Sequence, residues 1–218
     1  MKSGTVALGR LSRFGDRRRI RVGLLGGSFN PAHDGHRHVA ELALRRLRLD
    51  QVWLLVSPGN PLKAVDGMAP FAERLAGAAK IGGQRRIVAT GIEAAFGTRY
   101  TVDTLKELRR RFPRIRFVWI MGADILEQLP RWRRWTSMTR DLPFAVLPRP
   151  SYTHRALAGQ AAHRLGRWRR PVRQACLLPD LAPTGVPGWV FLPDRQNPTS
   201  ATAIRQAAIG QAAKGHVP

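Results

Sequence analysis

The 218-residue sequence predicts an α/β fold, a Rossmann-like, doubly wound parallel sheet within a single domain. Two observations predict it. Short runs of aliphatic and β-branched residues alternate along the chain with segments of helical periodicity, and glycine or proline punctuates the turns between them. Right-handed crossovers between parallel strands place such helices on both faces of the sheet.

The first half of the chain contains three strand–helix units. Residues 20–27 (IRVGLLGG) read as a short buried strand that ends in a glycine turn, and residues 35–47 follow with helical periodicity. The apolar face of this helix comprises Val39, Leu42, Ala43 and Leu47. The other predicted elements of this half are strands at 52–56 and 87–89 and helices at 71–82 and about 102–111.

The second half begins with a fourth strand at 116–122 (RFVWIMG), helical segments that extend through 129 and 138, and a fifth strand at 144–148. The pattern then weakens through a proline- and arginine-rich stretch up to 187. A strand at 189–192 and a helix at 200–214 form a C-terminal extension of the domain. The first 18 residues are polar and arginine-rich, without a period, and predict a flexible basic extension before a domain of residues 19–218.

The charge balance is strongly basic, since 37 Lys and Arg stand against 14 Asp and Glu for a net charge of +23. The basic residues are scattered, and no helix or hairpin gathers them with base-reading side chains, which argues against specific nucleic-acid binding. The only cysteine, Cys176, permits no intrachain disulfide. No apolar run approaches the roughly 20 residues that span a bilayer. A cytoplasmic protein without membrane association is therefore expected.

The loops that follow the strands are where site residues are expected, because ligands of open parallel sheets bind beyond the carboxyl ends of the strands. The first of these loops, GGSFNPAHDGHRH (26–38), places His33 and His36 beside a helix N-terminus. Free N–H groups and the helix dipole attract phosphate there, and imidazoles can donate to phosphoryl oxygens. By itself HxGH also fits a glycine turn with surface histidines. Zinc on His33, His36 and His38 is disfavoured, because no cysteine is near and the spacing matches no common structural site.

A second motif lies far downstream, at 197–205 (NPTSATAIR). By itself its S-x-T is an ordinary helix cap. Together with the GG-x-F-N-P-x-H-x-G-H loop, however, it resembles the signature of the nucleotidyltransferase α/β phosphodiesterase superfamily. Ala201 stands where the second serine of that signature is usual, which puts one hydroxyl contact to phosphate in doubt.

The loops between the two outer motifs indicate which family of this superfamily the sequence resembles. Residues 57–63 (SPGNPLK), 98–105 (TRYTVDTL) and 122–135 (GADILEQLPRWRRW) follow successive predicted strands. With the two outer motifs they resemble bacterial nicotinate-nucleotide adenylyltransferases over residues 20–205. That resemblance implies an enzyme of NAD biosynthesis, with ATP and nicotinate mononucleotide as substrates and deamido-NAD and pyrophosphate as products.

The same resemblance implies roles for individual residues. Catalysis is assigned to His33, His36, Lys63 and Arg205. Binding of ATP is assigned to Gly26, Gly27, Ser28, Phe29, His33, His36, Gly122, Asp124, Ser200, Thr202, Ile204 and Arg205. Binding of nicotinate mononucleotide is assigned to Asn30, Lys63, Tyr100, Thr101 and Trp132, the last by stacking on the pyridine ring.

Direct in-line transfer is the expected mechanism, because no Ser-His-Asp or Cys-His arrangement is apparent in the sequence. Mg²⁺ is expected as a cofactor bound mainly through the ATP phosphates, since no cluster of carboxylates forms a protein metal site.

Two alternatives stay open. One is another HxGH nucleotidyltransferase, either a phosphopantetheine adenylyltransferase or a cytidylyltransferase, which would share the outer motifs but not the middle loops. The other is a basic nucleic-acid-binding module on a degenerate fold. A homo-oligomer is left open as well.

Overall fold

A computed structural model describes residues 11–59, 67–82 and 85–194 of the chain. Within these residues seven strands form one sheet in which every neighbouring pair is parallel. The strands are β1 (Arg21–Gly27), β2 (Gln51–Val56), β3 (Ile87–Thr90), β4 (Arg116–Gly122), β5 (Phe144–Leu147), β6 (Arg169–Arg170) and β7 (Trp189–Phe191). Their order is β3-β2-β1-β4-β5-β7-β6. The predicted α/β class with a parallel sheet is confirmed.

Helices cover both faces of this sheet. They are α1 (Asp34–Arg46), α2 (Phe71–Gly82), α3 (Ile92–Phe96), α4 (Thr101–Arg111), α5 (Ala123–Gln128), α6 (Trp135–Asp141), α7 (Thr153–Ala158), α8 (Gln160–Arg164) and α9 (Leu178–Leu181). Adjacent strand residues face opposite sides, so Leu24 packs in one core layer with α3 to α8 and Leu25 in the other with α1, α2 and α9. The doubly wound arrangement is confirmed. Among the described helices, none has the length and apolar character needed to cross a membrane.

The weakly patterned stretch after Pro150 contains elements of two to six residues, which are too short to show a sequence period. The edge strand β6 was not predicted, and its two residues are held by parallel pairing with β7. Helix α3 was also missed. The predicted helix at 200–214 lies outside the described residues.

Part of the predicted N-terminal extension packs on the domain. Leu11 is buried in the same core layer as α4, and the Arg111 guanidinium donates a hydrogen bond to the carbonyl of Arg13 at 2.6 Å. Residues 1–10 lie outside the described part of the chain, and the boundary at residue 18 stays a prediction.

Strand β1 lies between β2 and β4, so the chain winds away from it in both directions. A crevice forms at such a switch point beyond the carboxyl ends of the strands. The loops after β1, β4 and β5 meet there.

Candidate active site

Glycines at the ends of β1 and β4 form the base of this crevice. A Cβ atom at Gly26 would lie 2.8 Å from Cη2 of Trp119, and a Cβ atom at Gly122 would collide with the Asp124 carboxylate. A larger residue at Gly26 would therefore collide with the Trp119 ring, and one at Gly122 would displace the Asp124 side chain. The exposed backbone can approach a ligand closely.

The two histidines of the first motif close the N-terminus of α1. His33 is the N-cap residue, and its Nδ1 accepts a hydrogen bond from the backbone N–H of Gly35 at 3.1 Å. His36 Nδ1 accepts from the backbone N–H of His33 at 3.3 Å. The two ring centroids are 3.9 Å apart, and the buried ring of Phe29 lies 4.7 Å from that of His36. The predicted catalytic histidines are thus held together at a helix N-terminus.

This capping determines which nitrogen of His33 carries the proton. Because Nδ1 accepts a hydrogen bond, the neutral ring carries its proton on Nε2. Nε2 is buried and has no hydrogen-bond partner among the described residues. A buried donor without a partner is costly, so it marks a place where a ligand oxygen would be bound.

Burial lowers the pKa of the His33 imidazole, and the positive charge of Arg149 lowers it further, against a smaller opposing effect of Asp34. In the protein without ligand, His33 is therefore mainly neutral at pH 7. A neutral Nε2–H is a fixed donor whose strength rises when an anion approaches.

Arg149 is a site residue that sequence reasoning missed. It follows β5, its side chain is 36% exposed, and its Nε lies 3.7 Å from Oδ1 of Asp124. The cation therefore lies near both His33 and the predicted ATP-binding Asp124. The carboxyl-end rule applied to β5 as well as to β1 and β4 would have found it.

Arg74, on α2, connects the loops of the site through hydrogen bonds to their backbone. Sequence reasoning missed this residue as well. It is 4% exposed, and its guanidinium donates to the carbonyls of Ser28 and Ser57 at 2.7 Å each and to that of Ala69 at 2.9 Å. The loops after β1 and β2 are thereby joined to the start of α2. No signal in the sequence distinguishes this arginine from the many other basic residues of the chain.

Asn30 takes part in the same loop structure. Its Oδ1 accepts from the backbone N–H of Ala69 at 3.2 Å, and its Nδ2 donates to the carbonyl of Gly67 at 3.0 Å. The structure therefore assigns this amide a role in loop geometry. Its predicted contact with nicotinate mononucleotide stays a prediction.

Three residues predicted for the mononucleotide lie at the start of α4 and shortly before α6. Tyr100 is the N-cap residue of α4 and Thr101 is its first residue. The guanidinium of Arg133, the residue after Trp132, lies 4.8 Å from the centre of the Tyr100 ring. The Trp132 ring is half-buried and packs edge-on against Trp119, with centroids 6.4 Å apart. Since Trp119 also contacts Gly26, this aromatic pair adjoins the end of β1.

Five predicted residues lie outside the described part of the chain, namely Lys63, Ser200, Thr202, Ile204 and Arg205. The structure does describe the approach to the last motif. After β7, Oδ2 of Asp194 lies 3.1 Å from Nε2 of His38, so the chain reaches α1 immediately before residue 195. Among the described residues no three His, Cys, Asp or Glu side chains come together as a metal site.

A family model described as cytidylyltransferase-like matches residues 24–207 of the chain. The probable nicotinate-nucleotide adenylyltransferase of Gluconacetobacter diazotrophicus is 58% identical over 201 residues, which cover 92% of each protein. That of Gluconobacter oxydans is 56% identical over 188 residues, which cover 86% of this chain and 95% of the relative. The chain belongs to the nicotinate-nucleotide adenylyltransferase family. The predicted resemblance and the predicted enzyme class are confirmed.

The fold of this family member agrees with solved structures. The solved structure of Plasmodium falciparum nicotinic acid mononucleotide adenylyltransferase complexed with NaAD matches this chain with a TM-score of 0.62 and 14% sequence identity. The match covers 86% of this chain and 83% of that chain. At this identity the likeness shows the fold alone. The names of the two bacterial relatives favour the nicotinate branch over the phosphopantetheine and cytidylyl alternatives.

Proposed function

We propose that this chain transfers the adenylyl group of ATP to nicotinate mononucleotide, giving deamido-NAD and pyrophosphate in NAD biosynthesis. The observation that carries the proposal is the His33–His36 cap of α1, with the buried Nε2 of His33 unpartnered among the described residues. In a member of the nicotinate-nucleotide adenylyltransferase family, such a donor suits a phosphoryl oxygen.

The reaction is a direct in-line displacement. An oxygen of the mononucleotide 5′-phosphate forms a bond to the α-phosphorus of ATP, the bond from that phosphorus to the bridging oxygen breaks, and pyrophosphate leaves with the electron pair. Negative charge on the α-phosphoryl oxygens is stabilised by His33 and His36 and by the positive end of the α1 dipole. The enzyme acts mainly by holding the two phosphates in line.

The ATP side of the crevice is built from β1, β4 and β5. Gly26, Gly27 and Gly122 let the nucleotide lie against the backbone, and Asp124 together with Arg149 lies at the rim. We assign Arg149 to the ATP phosphates, because this cation lies near His33, whose pKa its charge lowers, and His33 is itself proposed to donate to a phosphoryl oxygen. The family resemblance adds Lys63, Ser200, Thr202, Ile204 and Arg205 from outside the described residues.

The mononucleotide side is built from α4 and the loop that precedes α6. The Trp132 ring offers an aromatic face, and stacking of the pyridine ring contributes on the order of 1 kcal/mol. The first N–H groups of α4, beginning at Thr101, suit the ring carboxylate of nicotinate. Tyr100 holds the start of this helix.

Magnesium would arrive with ATP. The described residues contain no cage of carboxylates, so this donor set fits an ion held through the phosphates of the nucleotide, with Asp124 the carboxylate at the ATP side of the crevice. When bound, the ion supplies neutralisation of charge on the departing pyrophosphate.

The test is pyrophosphate release by the purified full-length protein with ATP, Mg²⁺ and one acceptor at a time. Release is expected with nicotinate mononucleotide and not with phosphopantetheine, and CTP should not replace ATP. Absence of release with every pyridine mononucleotide, from folded protein, contradicts the proposal. A gel-shift measurement at about 150 mM salt tests the nucleic-acid alternative, since nonspecific phosphate contacts are strongly weakened at that salt concentration. A shift that persists there would support nucleic-acid binding.

A further inference from the structure

A carboxyl group that the mechanism does not use is mostly buried between α3 and α4. Oε1 of Glu93 accepts a hydrogen bond from the hydroxyl of Thr104 at 3.4 Å, and Thr104 itself is 1% exposed. The hydroxyls of Thr98 and Thr104 are 2.7 Å apart. The Thr98 hydroxyl also reaches the backbone carbonyl of Glu93 at 3.4 Å. Glu93, Thr98 and Thr104 therefore form one connected cluster.

This cluster is attached to the start of α4. The carbonyl of Tyr100 accepts from the backbone N–H groups of Asp103 at 3.0 Å and Thr104 at 3.1 Å, and the Thr104 hydroxyl lies 3.4 Å from the same oxygen. The short loop from Gly97 to Tyr100 is thus fixed at both ends by groups that touch Glu93 or Thr104.

We propose that Glu93 is a positioning residue for the nicotinate mononucleotide site, holding the loop before α4 through Thr98 and Thr104. This inference rests on the proposed function. Through the loop, Glu93 sets where Tyr100, Thr101 and the first N–H groups of α4 lie. Glu93 itself touches no substrate.

The protonation of the cluster supports this role. Burial raises the pKa of Glu93 to about 7, against a smaller opposing effect of the hydrogen bond from Thr104. Among the described residues no Lys or Arg pairs with this carboxyl. When protonated, Glu93 can donate to Thr104, whose own hydroxyl proton is then available to the Tyr100 carbonyl. The neutral form also adds no negative charge near a site for an anionic ring.

The substrate-specific consequence follows from the position of the cluster. Among the described residues, the groups proposed for ATP lie at the ends of β1 and β4, at the starts of α1 and α5 and in the loop after β5, whereas Glu93 is connected to the start of α4. Loss of the carboxyl should therefore weaken binding of the mononucleotide and leave the ATP side nearly unchanged.

The experiment compares full-length wild type with Glu93→Ala, Glu93→Gln and Thr104→Val, and with Glu73→Ala on the exposed face of α2 as a matched control. Wild-type release of pyrophosphate with nicotinate mononucleotide tests the proposed function separately. With the wild type active, Glu93→Ala and Thr104→Val should raise KM for the mononucleotide roughly tenfold, the cost of one lost buried hydrogen bond. KM for ATP should change less than about twofold. Glu93→Gln should stay within about threefold of the wild type, since the neutral amide preserves the size and the hydrogen bonds.

A purely structural role would move both KM values together or reduce only the amount of folded protein. Either result, or unchanged KM for the mononucleotide in Glu93→Ala, overturns the proposal. If Glu93→Ala does not fold, the pH profile of the soluble Glu93→Gln variant decides. Wild-type KM for the mononucleotide should rise as pH passes through about 7, and that of Glu93→Gln should not show this rise. Identical profiles overturn the proposal.

Discussion

Replacing Glu93 with Gln should remove a specific part of the dependence of stability on pH. The Glu93 side chain is mostly buried and is bonded to the hydroxyl of Thr104. Burial raises its pKa from 4.5 to about 7. Glutamine has nearly the same shape and is neutral at every pH, so it stands for the protonated acid.

The sign follows from counting protons. Between pH 4.5 and about 7 the carboxyl is ionised in the unfolded chain and protonated in the folded one, so the folded state binds more protons and stability falls as pH rises. Each unit of pKa difference between the unfolded and folded states contributes about 1.4 kcal/mol to the free energy of unfolding, so the difference between 4.5 and about 7 contributes about 3 kcal/mol. This contribution is fully present below pH 4.5 and is lost as pH rises through about 7.

Urea unfolding of both proteins, from about pH 4 to about pH 8, measures the effect. The free energy of unfolding of the wild type minus that of Glu93→Gln should fall by about 3 kcal/mol across the window, because every other titrating group cancels in the difference. Glu73→Gln, on an exposed face of α2, is the control and should give a nearly constant difference. A constant difference for Glu93→Gln as well would refute the reasoning, since it would mean that the carboxyl is as well solvated in the folded protein as in the unfolded chain.

Three further predictions concern the active site. His36→Ala should reduce kcat roughly a hundredfold with the circular dichroism spectrum unchanged, because a preorganised donor to a transferring phosphate contributes that much; near-normal turnover would leave His36 only its capping role. The ratio of kcat/KM for nicotinate over nicotinamide mononucleotide should be about a hundredfold or more, since charged hydrogen bonds to the ring carboxylate have no counterpart in the amide, and a ratio near one would contradict the nicotinate assignment. An NMR titration should give His33 a pKa below its ordinary value of 6.5, and Arg149→Ala should raise that pKa. The same variant should raise KM for ATP. An unchanged His33 pKa in Arg149→Ala would show that the charge of Arg149 does not act on the imidazole.

Local pattern in the sequence was sufficient for the elements that form the centre of the fold. Strands such as Gln51–Val56 and Arg116–Gly122 are continuous apolar runs because both of their faces are buried, and the helix at Phe71–Gly82 has clear apolar periodicity. The order of such elements implies a parallel sheet, and the carboxyl-end rule then places the loops of Gly26 and Gly122 at one site. Recognition of the family required the motifs in addition, since no period or composition indicates a nicotinate substrate.

The sequence by itself thus determined the parallel α/β class and the central strands, the loop that carries His33 and His36, and the family. Only the tertiary structure decided how distant side chains meet: that Arg149 lies close enough to lower the pKa of His33, that Arg74 joins the loops after β1 and β2, and that the Glu93 carboxyl is bonded to Thr104. Periodicity reports which face of an element is apolar, because that depends on residues a few positions apart. Burial of a charge and the partner it finds depend on which crossovers bring separate elements together, and no local pattern contains that information.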